Sequence, residues 1–359
     1  MIKIKAGIIG CGGIANAKYL PSIRAAGLVE MVAFCDVSIE NAVKTKEAYG
    51  AGNAMACTDH NELLMDKSIE VVYVCTPNRS HSEVTVDALK SGKHVMCEKP
   101  MAINAPEALK MVNAAKESGK LLNIGYQNRF RPDCQYVKAF AEEGGFGDIY
   151  FARAKAVRRR AVPIWGVFFD EHEQGGGALI DIGTHALDLT LWTMNNYSPK
   201  YAVGTAYHML NNDTDTGNAW GDWDCAKFTV EDSAFGFIVM ENGATIVLES
   251  SWALNDRHPQ EAVFTLAGTK AGVDFDDGVH INSIKNGCPI VTKVDMPGSG
   301  VAFFDAGKGI KPEIAEQTVF LNAVLGKGEL IVKPEQAYTV TLILDAIYES
   351  AKTCKPVYF

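Results

Sequence analysis

The apolar run Ile4 to Ile9 reads as a strand, and it delivers the chain into Gly10-Cys11-Gly12-Gly13-Ile14-Ala15. Helix-forming sequence follows from Ile14 to Ala26. Strand, glycine-rich turn and helix in that order leave few folds open. Gly10 permits a tight turn, Gly12 lets backbone approach a bound group, and Ala15 allows close helix–strand packing. The free N–H groups and the positive dipole end at the helix start suit a pyrophosphate. A second strand, Val29 to Cys35, ends on Asp36, 21 residues after Ala15. Asp36 is placed to accept hydrogen bonds from ribose hydroxyls. Its charge repels a 2′-phosphate, and no Lys or Arg follows before Lys44, so the pattern favours NAD over NADP. An ordinary βα turn with a helix-capping Asp is the competing reading.

A chain of 359 residues exceeds the usual single core, so two domains are expected, 1–125 and 126–359. The first third alternates short apolar runs (3–9, 29–35, 71–75, 94–97, 121–124) with helical patterns (14–26, 39–49, 60–65, 80–91, 105–118). This predicts parallel βαβ units in a doubly wound sheet. In such sheets ligands bind at the carboxyl ends of the strands. The glycine turn, Asp36, Cys75-Thr76-Pro77-Asn78 and Glu98-Lys99-Pro100 all fall at such ends. From about residue 126 the texture changes. Strand-like runs at 148–157, 201–208, 226–230, 233–241, 244–253 and 261–267 are interrupted by one helix, 178–194. Asn242-Gly243 is a hairpin signal, 209–224 reads as a loop, and helices are expected at about 312–326 and 334–353. The fold class is therefore α/β, a parallel sheet followed by an open, mainly antiparallel one.

The formal net charge of −9 argues against nucleic acid or an anionic membrane as partner. Nine cysteines, with no Cys-x-x-Cys pair, read as reduced thiols in a cytoplasmic protein rather than a disulfide framework or a zinc site. No leader and no bilayer-spanning stretch is visible.

Two groups of residues have the chemistry for proton transfer. Lys99 at a strand end can hydrogen-bond a substrate hydroxyl, and a positive ring nearby would lower its pKa. Glu98-Lys99-Pro100 is equally readable as a surface turn, with Lys99-Pro100 a candidate cis bond. In Gly175-Gly176-Gly177-Ala178-Leu179-Ile180-Asp181-Ile182-Gly183-Thr184-His185, Asp181 and His185 share a helical face. A carboxylate beside a His keeps it oriented and basic, as a general base requires. A surface pair or a satisfied buried His fits the same spacing. Asp188 points toward Leu191 and Trp192 and reads as structural. Arg158, Arg159 and Trp165, preceding the glycine run, suit polyol hydroxyls and a sugar ring, or form a solvated basic turn with one packed Trp. Trp220 and Trp223 could stack a ligand ring or pack at an interface. Asp170-Glu171-His172-Glu173 reads as a solvated loop, so no metal is expected.

The glycine turn, Glu98-Lys99-Pro100 and the segment Gly175 to Asp188 together resemble the glucose–fructose oxidoreductase/inositol dehydrogenase (Gfo/Idh/MocA) family over nearly the whole chain. The resemblance implies an N-terminal Rossmann domain, a C-terminal α/β domain with an open antiparallel sheet, and NAD as cofactor. It implies that Lys99, Asp181 and His185 form the catalytic group, and that Thr76, Pro77, Asn78, His81, Glu98 and Gln127 join Gly10, Gly12, Gly13, Ile14, Ala15 and Asp36 around the cofactor. Arg158, Arg159, Trp165 and Thr184 are candidate substrate contacts. A looser similarity to pyranoside C3 dehydrogenases implies oxidation of a secondary hydroxyl of a glucoside. Inositol oxidation, NAD-assisted glycoside cleavage and sugar sensing are the alternatives. The open sheet face implies a homo-oligomer.

Overall fold

The computed structural model describes residues 3–210, 212–213, 217–296 and 311–359, so residues 211 and 214–216 of the expected loop lie outside it. The chain forms two compact units. The first is Met1–Gln127 with Ile310–Tyr338, and the second is Asn128–Gly309 with Thr339–Phe359. The assignment of everything beyond 126 to one domain therefore changes: the helix Pro312–Val324 belongs with the N-terminal sheet. Its Phe320 and Leu321 are buried in the same apolar cluster as Ile8, Leu20 and Tyr73, which accounts for its place.

In the first unit the strands are β1 (Ile4–Ile9), β2 (Val29–Cys35), β3 (Met55–Cys57), β4 (Val71–Val74), β5 (His94–Cys97) and β6 (Leu122–Ile124). All pair in parallel, in the order β3-β2-β1-β4-β5-β6. This is the doubly wound arrangement in which strand order reverses beside β1. Every residue of β4 is buried, as a strand covered on both faces must be. Sequence pattern alone missed β3, which is three residues long.

The second unit contains β7 (Ile149–Val157), β8 (Pro199–Tyr207), β9 (Ser233–Met240), β10 (Thr245–Ser251), β11 (Val263–Gly268), β12 (Ala271–Asp274), β13 (His280–Lys285), β14 (Cys288–Lys293) and β15 (Val357–Tyr358). Among the described residues the sheet order is β14-β13-β12-β11-β7-β10-β9-β8-β15. Only β7 and β10 pair in parallel. Ala152, Ala154, Ala156, Ile246, Leu248 and Ile238 turn to a buried face. That face takes the helix Thr184–Met194, whose residues from Thr184 to Thr193 are all buried. The opposite face exposes Val203, Tyr207 and Phe237.

Asn242-Gly243 does close a hairpin, between β9 and β10. The strand expected at 226–230 does not form. Asp224 instead caps a single 3₁₀ turn, Cys225–Lys227, by accepting from Ala226 N, and both the N–H and the hydroxyl of Thr229 donate to Phe169 O. Strands β12 to β14 were not expected, because Asp274 to Asp277 and Lys285-Asn286-Gly287 break any apolar alternation. Asn286 and Gly287, at φ 51° and 74°, make the turn between β13 and β14.

Candidate active site

In the first unit the expected positions gather at the carboxyl ends of adjacent strands. One further backbone hydrogen bond beyond each strand fixes these ends: Gly10 N to Cys35 O, Cys75 N to Ile9 O, Glu98 N to Val74 O and Gly125 N to Cys97 O, each 2.8–2.9 Å. Gly10 has φ +91°, and a Cβ there would collide with the backbone at Cys75 and Thr76, so no other residue suits the turn. By contrast, a Cβ on Gly12 or Gly13 would meet nothing within 4 Å. Open space flanked by backbone N–H groups at a helix start is what a pyrophosphate needs. Asp36 completes the cradle. Its Oδ2 accepts from Cys11 N (2.8 Å) and its Oδ1 from Ser38 N (2.9 Å). Ile14 is 40% exposed beside this turn, while Ala15 is buried and begins a π-helical turn, Ala15–Tyr19, that runs into the helix Leu20–Ala26.

Glu98 sits in a polar cluster that spacing does not reveal. Lys18 Nζ donates to Glu98 Oε2 and to Gln127 Oε1, both at 3.0 Å, and Tyr19 Oη donates to Glu98 Oε2 at 2.5 Å. Burial pulls the Lys18 ammonium down, but Glu98 and Glu316 outweigh it and hold its pKa above the usual lysine value. Lys99 is half-buried and precedes a cis Lys99-Pro100 bond. Thr76 is half-buried, Pro77 exposed and Asn78 buried at the end of β4.

His81 stands between two backbone carbonyls. It is fully buried, with Nδ1 2.7 Å from Pro100 O and Nε2 3.0 Å from Thr76 O. Burial lowers its pKa. The neutral ring that burial favours donates from one nitrogen only, so His81 hydrogen-bonds one of these carbonyls and lies against the other, between the loop after β4 and the loop after Lys99.

In the second unit Asp181 lies in another π-helical turn, Leu179–Gly183, which continues into the helix that begins at Thr184 and carries His185. Such turns recur at functional sites. Glu231, which no local motif announces, packs against the end of the glycine run. Glu231 Oε2 accepts from Gly177 N (2.7 Å), Oε1 accepts from Leu179 N (2.9 Å) and from Tyr348 Oη (2.8 Å), and Ala178 N donates to Glu231 O. A Cβ on Gly176 would strike the Tyr348 ring, and one on Gly177 would overlap the Glu231 carbonyl. Burial pushes the Glu231 carboxyl up, against the pull of the backbone N–H donors. Trp252, fully buried, donates its indole N–H to Asp181 Oδ2 at 2.9 Å. His185 is 7% exposed.

The other candidates separate. Thr184 is fully buried at the start of its helix. Arg158 is clamped to Glu261 by two 2.6 Å bonds, Arg159 is exposed, and Trp165 is 51% exposed. Trp220 is 42% exposed, whereas Trp223 is buried against Phe228 and offers no stacking face. Asp188 forms a buried bidentate pair with Arg129, at 2.9 and 2.6 Å, in keeping with its structural reading. Asp170 caps the short helix Glu171–Gln174 by accepting from His172 N and Glu173 N.

The family model described as an oxidoreductase family with an NAD-binding Rossmann fold matches residues 4–126, and the GFO/IDH/MocA C-terminal domain matches residues 134–274. The chain belongs to the Gfo/Idh/MocA oxidoreductase family. It is an oxidoreductase with NAD as its cofactor, and the open cradle at Gly12 and Gly13 fits that molecule. It is 35% identical to the D-glucoside 3-dehydrogenase of Escherichia coli over 350 residues, 98% of this chain and 96% of the relative. It is 25% identical to the levoglucosan dehydrogenase of Pseudarthrobacter phenanthrenivorans over 389 residues, 98% and 97% of the two chains. A solved structure of levoglucosan dehydrogenase in complex with NADH and levoglucosan shares the fold, with a TM-score of 0.82 at 22% identity and 99% coverage of both chains. No helix among the described residues is long and apolar enough to cross a membrane.

Proposed function

We propose that this chain oxidises a secondary ring hydroxyl, at C3, of a D-glucoside or related pyranose to the keto sugar. The likeness to D-glucoside 3-dehydrogenase across almost the full length of both proteins carries the reading. Bound NAD supplies the hydride acceptor. The turn from Gly10 to Ala15 holds its pyrophosphate, and Asp36 holds a ribose. His185 takes the proton of the reacting hydroxyl, and Asp181, itself fixed by Trp252, keeps the imidazole oriented. Lys99 hydrogen-bonds a substrate hydroxyl and stabilises developing negative charge on oxygen. His81 acts on this chemistry indirectly, by holding its ring against the carbonyl of Pro100 next to Lys99. We also place the protein in the cytoplasm as a homo-oligomer that does not engage nucleic acid. The exposed aromatic and aliphatic side chains on the open sheet face support the oligomer, the net negative charge argues against nucleic acid, and the unpaired cysteines suit a reducing compartment.

The test is NADH formation by the purified protein with NAD and D-glucose, levoglucosan, myo- and scyllo-inositol, and alkyl and aryl β-D-glucosides. A 3-keto product from glucosides, identified by NMR, is the expected result. Preference for inositols, or release of free aglycone without net NADH, overturns it.

A further inference from the structure

Two indoles stand exposed in the second unit. The rings of Trp165 and Trp220 meet edge-to-face with centroids 4.9 Å apart, and Phe168 supports Trp165 from 6.0 Å. Large aromatic side chains half open to water are costly unless something covers them. The two segments that carry the rings are tied together. The Asn218 side chain accepts from Val162 N (2.8 Å) and donates to Val162 O (3.1 Å) and Gly221 O (2.8 Å), and Ala219 N donates to Arg160 O (3.0 Å). These bonds zip the segment carrying Trp165 to the segment carrying Trp220. The platform is therefore preformed, and a ligand docking on it orders little.

The platform also has an address. Arg158 N donates to Ser251 O, and Ala161 N donates to Trp252 O. The same Trp252 donates its indole N–H to Asp181. One short strip of backbone thus connects the indole pair to the residue proposed to orient His185, all within one unit. Local charge narrows the ligand. Arg158 stands over the Trp220 ring at 5.3 Å, but its guanidinium is locked to both oxygens of Glu261. Arg160 is paired with Asp213 at 3.8 Å. Arg158 and Arg160 are thus each paired with a carboxylate, while Arg159 between them is exposed. The surface that the two indoles themselves offer is an uncharged aromatic face, which suits another ring.

We propose that Trp165 and Trp220 form an aglycone subsite that takes the aromatic ring of an aryl glucoside. The proposal rests on the glucoside reading and deepens it by naming the substrate class.

Phenyl β-D-glucoside and methyl β-D-glucoside differ only in the aglycone, so the ratio of their kcat/KM values isolates the platform. Trp220→Ala should lower that ratio about tenfold, through KM, the equivalent of about 1.4 kcal/mol of ring contact. Trp220→Phe should restore most of it, which a folding defect would not. An unchanged ratio overturns the proposal. So does an equal loss on both glucosides, which would place the sugar ring itself on the indoles, or a smaller assembly in solution with the ratio unchanged, which would make the pair a subunit contact. If the wild-type protein oxidises neither glucoside, the glucoside reading fails separately. Indole fluorescence then decides the platform: quenching by phenyl but not methyl glucoside, reduced in Trp220→Phe, supports it, and equal response to both removes it.

Discussion

Gly177→Ala is the sharpest test of how the helix carrying Asp181 and His185 is held. The new methyl group would overlap the main-chain carbonyl of Glu231, which cannot swing aside as a side chain could. The run Gly177 to Leu179 must retreat, stretching three hydrogen bonds to Glu231: two N–H groups into its carboxylate, at 2.7 and 2.9 Å, and Ala178 N to its carbonyl at 3.2 Å. Bonds to a charged acceptor contribute about 1.5–3 kcal/mol each and a neutral one about 0.5–1.5. Weakening rather than abolishing all three, with about 1–3 kcal/mol of overpacking strain, gives a loss of about 3–5 kcal/mol. At roughly 2–4 °C per kcal/mol for a unit of this size, calorimetry should show Tm about 10 °C lower. Sugar oxidation should fall with it, while NADH affinity, measured by fluorescence titration, should stay within about twofold. Gly12→Ala is the matched control. Its methyl group enters open space, so Tm should shift by less than about 0.5 kcal/mol's worth while NADH affinity drops by about tenfold or more. Gly177→Ala melting within about 2 °C of wild type and retaining full turnover would refute the reasoning about Glu231.

Lys99→Met should bind NADH normally yet lose about 10²–10⁴ in kcat, the usual contribution of a positioned proton-transfer group; full turnover on glucosides would remove Lys99 from the scheme. Asp188→Asn strands the Arg129 guanidinium in a site where both side chains are essentially inaccessible, and urea unfolding should register a loss of about 3–5 kcal/mol. Burial raises the Cys11 thiol from 9.0 to about 12, with Asp36 adding to the effect. The native chain keeps this proton where the unfolded chain releases it, so its contribution to stability is intact below about pH 9 and declines as pH rises toward 12. Melting curves should therefore fall along that alkaline limb, and at pH 8 thiol reagents should label Cys288 and Cys354 before any of the buried cysteines.

The first unit was legible because its signals are local. The turn at Gly10, the acid ending β2 and the apolar runs each lie within one strand or one loop, and parallel pairing then brings the strand ends together unaided. What spacing missed is long-range. Nothing near Lys18 announces Glu98, 80 positions on, and nothing near Glu231 announces Gly177 or Tyr348. The glycine run was visible, but what packs against its end was not: a buried carboxylate and a tyrosine from distant segments. His81 is named by the family resemblance alone, and nothing in its local sequence announces the carbonyls of Thr76 and Pro100 against its ring. Trp220 and Trp223, alike in sequence, part company because Phe228 packs over one of them alone.

The helix Pro312–Val324 gives the chain an unusual order of completion. The first unit is begun by residues up to 127 but lacks Phe320, whose ring meets Tyr73 at 6.4 Å, until the ribosome has passed almost all of the second. A fragment ending near 127 would carry an open apolar seam along Leu20 and Ile23. Modular exchange is constrained in the same way. The chain crosses between units at 127/128, 309/310 and 338/339. A chimera that trades the whole sugar-handling unit between relatives must therefore be spliced at three junctions, and one made with a single crossover would inherit a mismatched lining in its nucleotide-binding half.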